Sequence, residues 1–308
     1  MLSVSGKNWE EINLNKRIIE KVKIEKNFSD IISKIIISRN FDDTELYSIK
    51  NSVEILNPFL NNKDFLKGVK LLEKSLNDNK KILVLGDYDV DGCVSTSLFV
   101  KFFQQIDNKS FLYYIPNRFK DGYGASLGLI KRLVKQKPDL IIMVDCGSNS
   151  SESINYLNKK NIKTIIIDHH EIYKPYPNAE CIINPKKDSD YQKFDYFCAS
   201  TLTYFFIDTY IKKNLIKINF KENLIYVLLS TICDVMPLRK INRIIAINVL
   251  KDGNIKNNFL FNKIFSLNQI KRPLQISDFG FLIGPILNSA GRLTDPNKIV
   301  KLLTIKDN

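Results

Sequence analysis

Four short runs of apolar residues punctuate the middle of the chain: "KKILVL" from Lys80, "SFLYYIP" from Ser110, "DLIIMVD" from Asp139 and "KTIIID" from Lys163. Their length and their content of Ile, Val, Leu and Tyr predict β-strands. Between them, "CVSTSLFVKFFQQI", "SLGLIKRLVKQ" and "SESINYLNKK" carry apolar positions at helical spacing. Strands alternating with helices predict parallel βαβ units. Strands that are apolar throughout fit a parallel sheet covered by helices on both faces. Upstream, "FSDIISKIIISR" and "FLKGVKLLEKSL" read as polar helices, interrupted at Asn57-Pro58 and Asn61-Asn62. After Asp195 the pattern is mostly helical, as in "ASTLTYFFIDTYIKK", "KENLIYVLLSTI" and "NRIIAINVL". The expected architecture is α/β: a helical N-terminal segment over residues 1–78, a parallel-sheet domain over 79–236 and a helical lead-out over 237–308.

The bulk numbers narrow the class. The chain has 308 residues, 44% of them hydrophobic, enough to bury a sizeable core. No apolar run approaches the roughly 18 residues a membrane span requires. The N-terminus "MLSVSGKNWEEINLNKR" lacks a basic region followed by an apolar stretch, so a cytoplasmic protein without a signal peptide is expected. Cys93, Cys146, Cys181, Cys198 and Cys233 are scattered, which argues against a disulfide framework or a zinc knuckle and for small apolar fillers. Net charge is +13, from 46 basic and 33 acidic residues. That balance favours a polyanionic partner, although a composition rich in Lys, Asn and Ile throughout inflates it.

The strand ends carry the chemistry. In open parallel sheets, ligands sit at the carboxyl ends of the strands. The first strand runs into "GDYDVDG", with Asp87, Asp89 and Asp91 at alternate positions. The third ends in Asp145, within "VDCG", and the fourth in Asp168, His169 and His170. Carboxylates gathered in one place repel, and cannot all stay ionised unless something positive joins them. Aspartate with imidazole suits Mn²⁺, Mg²⁺ or Fe²⁺. A ligand set this large has room for two ions, roughly 3.5–4 Å apart. The chain has only two histidines, adjacent and after an aspartate, which weakens a purely structural reading of either. A calcium loop fails on spacing: the twelfth position counted from Asp87 is Leu98, where an EF-hand needs a bidentate glutamate.

"GDYDVDG", "VDCG", "DHH" and "ICDVMPL", in this order, resemble the DHH phosphoesterase family. "IPNRFKDGYG" and "GPILNSAGRLTDP" further resemble its RecJ group of single-strand-specific DNA exonucleases. The resemblance implies a DHH core over 79–236, two Mn²⁺ or Mg²⁺, and 5′ to 3′ hydrolysis of single-stranded DNA in repair and recombination. It implies metal ligation by Asp89, Asp91, Asp145, His169 and Asp234, with Asp145 bridging, and places Asp87 beside them either as a further ligand or as a support behind the ligands. It gives His170 to metal or to the scissile phosphate, and Asp168 to orienting a histidine. Arg118 and Arg292 match arginines that contact phosphate, with surface salt bridging the alternative for Arg118. Asn288 and Ser289 either bond phosphate or fix a loop. Gly122, Tyr123 and Gly124 suggest a tight turn whose aromatic ring stacks on a base or packs internally. Implied partners are single-stranded DNA, single-strand-binding protein and other repair proteins, with no membrane. In the RecJ group a DHH-associated domain with a histidine-containing motif follows. No histidine follows His170, so that motif lies outside these 308 residues and a fragment or shortened protein is expected. Two rival readings remain: a DHH activity on short oligonucleotides, cyclic dinucleotides or pyrophosphate, and a non-catalytic DNA-binding module.

Overall fold

A computed structural model of the chain describes residues 3–10, 12–122, 124–188, 192–252 and 258–305. It divides into two compact units, Met1–Glu54 and Ile55–Asn308. The first holds α1 (Lys16–Lys26), α2 (Asp30–Ser38) and α3 (Asp43–Lys50). Side-chain oxygens start each helix: Asn15 caps α1, Ser29 caps α2, and Asp42 with Glu45 forms a capping box on α3.

The second unit begins with α4 (Lys63–Asn77), which the sequence pattern groups with the N-terminal helices. There follow β1 (Ile82–Leu85), α5 (Val90–Gln105), β2 (Phe111–Tyr114), α6 (Leu127–Leu133), β3 (Leu140–Val144), α7 (Ser151–Lys159), β4 (Lys163–Ile167) and β5 (Cys181–Ile183). The helical remainder comprises α8 (Ala199–Lys213), α9 (Leu224–Cys233), α10 (Lys240–Asp252), α11 (Phe259–Leu267), the single turn α12 (Ile276–Asp278), a π-helical stretch (Phe279–Ile283), α13 (Gly284–Leu293) and α14 (Asn297–Leu303). No helix among the described residues is long and apolar enough to cross a membrane.

The strands form one parallel sheet in the order β2-β1-β3-β4-β5. Side chains alternate between its faces, and both faces are buried. Ile82, Val84, Ile142, Val144, Ile165 and Ile167 join one core, with α4, α5, α8 and α9. Leu83, Leu85, Ile141, Met143 and Ile166 join the other, with α6 and α7. This two-sided burial is why the strands read as unbroken apolar runs. The sequence pattern gives four strands and the sheet has five. β5 escaped because it is a three-residue strand between Glu180 and Asn184-Pro185, too short to show a period.

The strand order reverses direction between β1 and β3. A crevice opens at such a switch point, outside the carboxyl ends of the strands. The segments that leave β1 and β3 there are the ones bearing Asp87, Asp89, Asp91 and Asp145.

Candidate metal centre

β1 passes into α5 through a turn so tight that a Cβ on Gly92 would lie 2.4 Å from the Asp87 amide nitrogen. That turn sets the three aspartates. Asp87 is buried, and its Oδ1 has no hydrogen-bond partner among the described residues. Asp89 caps α5, accepting from the Gly92 amide at 3.0 Å. Asp91 lies in the first turn of α5 and reaches across to the start of α8, where it accepts from the Ala199 amide at 2.7 Å and the Ser200 amide at 3.0 Å. A helix N-terminus favours a carboxylate, and each of these oxygens keeps a lone pair for another partner.

Asp145 ends β3 with a left-handed backbone, φ 59°. It is buried, and among the described residues neither of its carboxylate oxygens has a hydrogen-bond partner. His169 follows β4 with Nε2 buried and, among the described residues, equally without a hydrogen bond. That nitrogen lies 3.4 Å from Asp145 Oδ1, 3.4 Å from Asp234 Oδ2 and 3.8 Å from Asp91 Oδ2. Asp234 terminates α9, the helix end where the macrodipole disfavours negative charge. His170 turns its Nδ1 to Asp168 Oδ1 at 2.8 Å and stands 3.8 Å from Asp145 Oδ1. Asp168 also accepts from the amides of Ser148, His169 and His170.

The electrostatics describe a site short of positive charge. Burial, with the Asp89 charge second, pushes Asp87 up to about 7. Burial, with Asp91 and Asp89 next, does the same to Asp234. Asp89 is raised by burial and by Asp91. Asp145 is raised well above the ordinary carboxylate value, first by burial and then by the charges of Asp89 and Asp91. Burial holds His169 below the usual imidazole range. The hydrogen bond to Asp168 lifts His170 to about 9. Burial is the largest single influence on Asp168 and would raise it, but the hydrogen bond and charge of His170, with the bonds from Ser148 and the His170 amide, together outweigh it and hold this carboxyl far down.

Buried, unpaired acceptors from separate elements are what a cation site requires. Potential ligand atoms fall into three groups, each within 4.8 Å: Asp87, Asp89 and Asp145; Asp91, His169 and Asp234; Asp145, His169 and His170. The residues present fit a divalent metal, with Asp145 in contact with both sides. The cysteines stay outside this set, free and buried or half-buried, with burial pushing up the thiols of Cys93, Cys146 and Cys233.

The expected phosphate contacts are placed less tightly. Arg118 is exposed in the loop after β2, its guanidinium 5.7 Å from the centre of the Tyr88 ring. Arg292 is exposed on α13 and borders a cleft of about 460 Å³ with Phe119 and Lys120. Among the described residues neither arginine makes an ion pair. Asn288 and Ser289 lie on helix α13 rather than in a loop, and the Ser289 hydroxyl donates to the Ile286 carbonyl at 2.7 Å. Gly122 and Gly124 both take left-handed backbone; Tyr123 lies outside the described residues. Sequence reasoning missed Ser148 and Asn184, whose amide joins Ser148 Oγ to the His170 carbonyl.

A parallel sheet with a buried aspartate–histidine cluster at its switch point, fit to hold a divalent metal, has the layout of an α/β metal-dependent hydrolase. Residues 81–232 match the DHH family, N-terminal domain, and this region of the chain belongs to the DHH family. Within it, the chain is 32% identical over 255 residues to the single-stranded-DNA-specific exonuclease RecJ of Dickeya dadantii, covering 78% of this chain and 44% of that protein. To its Escherichia coli counterpart it is 29% identical over 308 residues, 96% of this chain and 53% of the relative. The crystal structure of RecJ in complex with Mn²⁺ from Thermus thermophilus shares the fold, with a TM-score of 0.79 at 20% identity, covering 96% of this chain and 42% of that one. The chain thus spans about half the length of the curated relatives it matches.

Proposed function

We propose that the chain is a two-metal phosphodiesterase that hydrolyses single-stranded DNA from the 5′ end, working in the cytoplasm in DNA repair and recombination beside single-strand-binding protein and other repair proteins. The observation that carries this reading is the pair of ligand trios abutting at Asp145. Asp87, Asp89 and Asp145 would hold one Mn²⁺ or Mg²⁺; Asp91, His169 and Asp234, with Asp145, would hold the other. Such a pair lowers the pKa of water and clamps the oxygens of a phosphate undergoing in-line displacement.

The remaining residues act on the substrate. His170, kept cationic by Asp168, offers charge and an N–H to a phosphate oxygen at the edge of the centre. Arg118 and Arg292, without acidic partners among the described residues, suit the phosphates of neighbouring nucleotides, because a guanidinium donates two parallel hydrogen bonds. The exposed ring of Phe119, in the same loop as Arg118, is a surface on which a base can stack.

The test uses 5′- and 3′-labelled single strands, titrated with Mn²⁺. Mononucleotide release from the 5′ end is expected, and Asp145→Ala should abolish it. In calorimetry the same substitution should weaken both metal sites, since one carboxylate serves both. Cleavage of dinucleotides alone would move the chain to the small-substrate DHH activities. Binding without cleavage at any metal concentration would make it a DNA-binding module.

A further inference from the structure

We propose that Asn184, seated on Ser148, is a positioning residue for the His169–His170 turn. Asn184 directly follows β5 and is fully buried, at 0% exposure. Its amide ties three strand ends together. Nδ2 donates to Ser148 Oγ beyond β3 at 2.7 Å and to the His170 carbonyl beyond β4 at 2.9 Å, while Oδ1 accepts from the Lys186 amide at 2.8 Å. The backbone fixes which end of the amide is which: the Lys186 N–H can only donate and the His170 carbonyl can only accept.

Ser148 closes the arrangement. Its own N–H donates to Asp168 Oδ2 at 3.1 Å, and Asp168 Oδ1 holds His170 Nδ1 at 2.8 Å. His170 is therefore gripped at the ring by Asp168 and at the peptide by Asn184, and Ser148 links the two grips. An apolar residue would fill this strand end without the cost of desolvating an amide. The amide is retained at full hydrogen-bond occupancy on its donor side, where one of its two partners is a peptide of the metal centre. Asn184 reaches the His170 carbonyl and not its ring, so it acts through the histidine.

The test exploits composition. The chain has only two histidines, so tag-free protein yields two sets of imidazole signals in a long-range ¹H–¹⁵N spectrum. Asn184→Asp keeps the shape but turns a double donor into an oxygen facing the His170 carbonyl. The expected result is a folded protein by circular dichroism whose His170 imidazole signal moves. On a single-stranded oligonucleotide its kcat should fall about 10–100-fold, as for other residues that orient a site's ligands, with KM little changed. Asn184→Ala, which introduces no charge, should move the same signal and decides the matter if Asn184→Asp does not fold. Unmoved imidazole signals with unaltered kcat in either folded variant would overturn the proposal. Only the kinetic arm rests on the phosphodiesterase reading. A wild-type chain inactive on every phosphodiester would sink that reading, and the imidazole spectra would still decide the role of Asn184.

Discussion

Asp87 and Asp234 hold protons up to about 7 in the absence of metal, burial being the main cause and neighbouring carboxylates the second. Their ordinary value is 3.8, so across the interval between the two values the folded chain binds protons that the unfolded chain has lost. Their contribution to the stability of the metal-free protein is full below the ordinary carboxylate range and is lost as pH rises through about 7. A divalent ion needs the deprotonated forms and reverses that trend. Mn²⁺ affinity is therefore expected to strengthen as pH rises through 7, with proton release measurable by calorimetry in buffers of different ionisation enthalpy. His170, held up to about 9 by Asp168, stays cationic over that range and does not mask the change. Affinity independent of pH between 6 and 8 would mean that these carboxylates are not the protonated ligands. At this scale the sequence was readable where residues cluster. Asp87, Asp89, Asp91 and the two histidines announce themselves by spacing and rarity. Asp234 became visible only through the family motif around it, because one aspartate at a helix end looks the same whether or not a histidine nitrogen lies 3.4 Å away. Asn184 and Ser148 leave no mark in the sequence, since their meaning is a set of contacts between strand ends.

Elements that bury both faces were legible, and short or irregular ones were not. β1, β3 and β4 are buried on both sides and read as apolar runs, while β5 offers three residues and no period. The passage from β1 to α5 combines both cases: the strand was evident, but the reason for its final glycine was not. Gly92 lets the first turn of α5 fold back onto the Asp87 peptide. In Gly92→Ala the new methyl would meet backbone rather than a side chain that can swing away, so the turn must open and carry Asp87 with it. Overpacking of this kind costs typically about 1–3 kcal/mol. The variant is expected to melt earlier than wild type and to lose most of its stabilisation by Mn²⁺, which for the intact site should follow mass action. Thermal melts with and without Mn²⁺ check both effects; an unchanged Mn²⁺ increment in the variant would show that the turn does not set the ligands. Gly291 makes a second close approach, of α13 to the Tyr88 carbonyl, where a Cβ would come within 2.8 Å. Through it the helix bearing Asn288 and Arg292 sits directly against the aspartate loop.

For the whole molecule, the question is whether a net charge of +13 reflects composition or is aimed. Much of it is dispersed over surface lysines, several paired with nearby carboxylates as in Lys34–Asp30 and Lys212–Asp208. Around the cleft by α13 the picture differs, for Arg292 and Lys120 face the same opening as the exposed Phe119. If the charge is aimed, individual arginines should carry countable phosphate contacts. Binding of an inactivated Asp145→Asn chain to oligothymidylate, followed by fluorescence anisotropy, should weaken linearly in log affinity against log salt. Each phosphate neutralised on a single strand contributes about 0.7 to that slope through counterion release. Arg118→Ala and Arg292→Ala are each expected to reduce the slope by about that amount, whereas Lys212→Ala, remote in sequence from the strand ends and already paired with Asp208, should leave it unchanged. Equal slopes in all variants would show that the positive charge acts as a diffuse field, and the phosphate contacts assigned to the two arginines would have to be withdrawn.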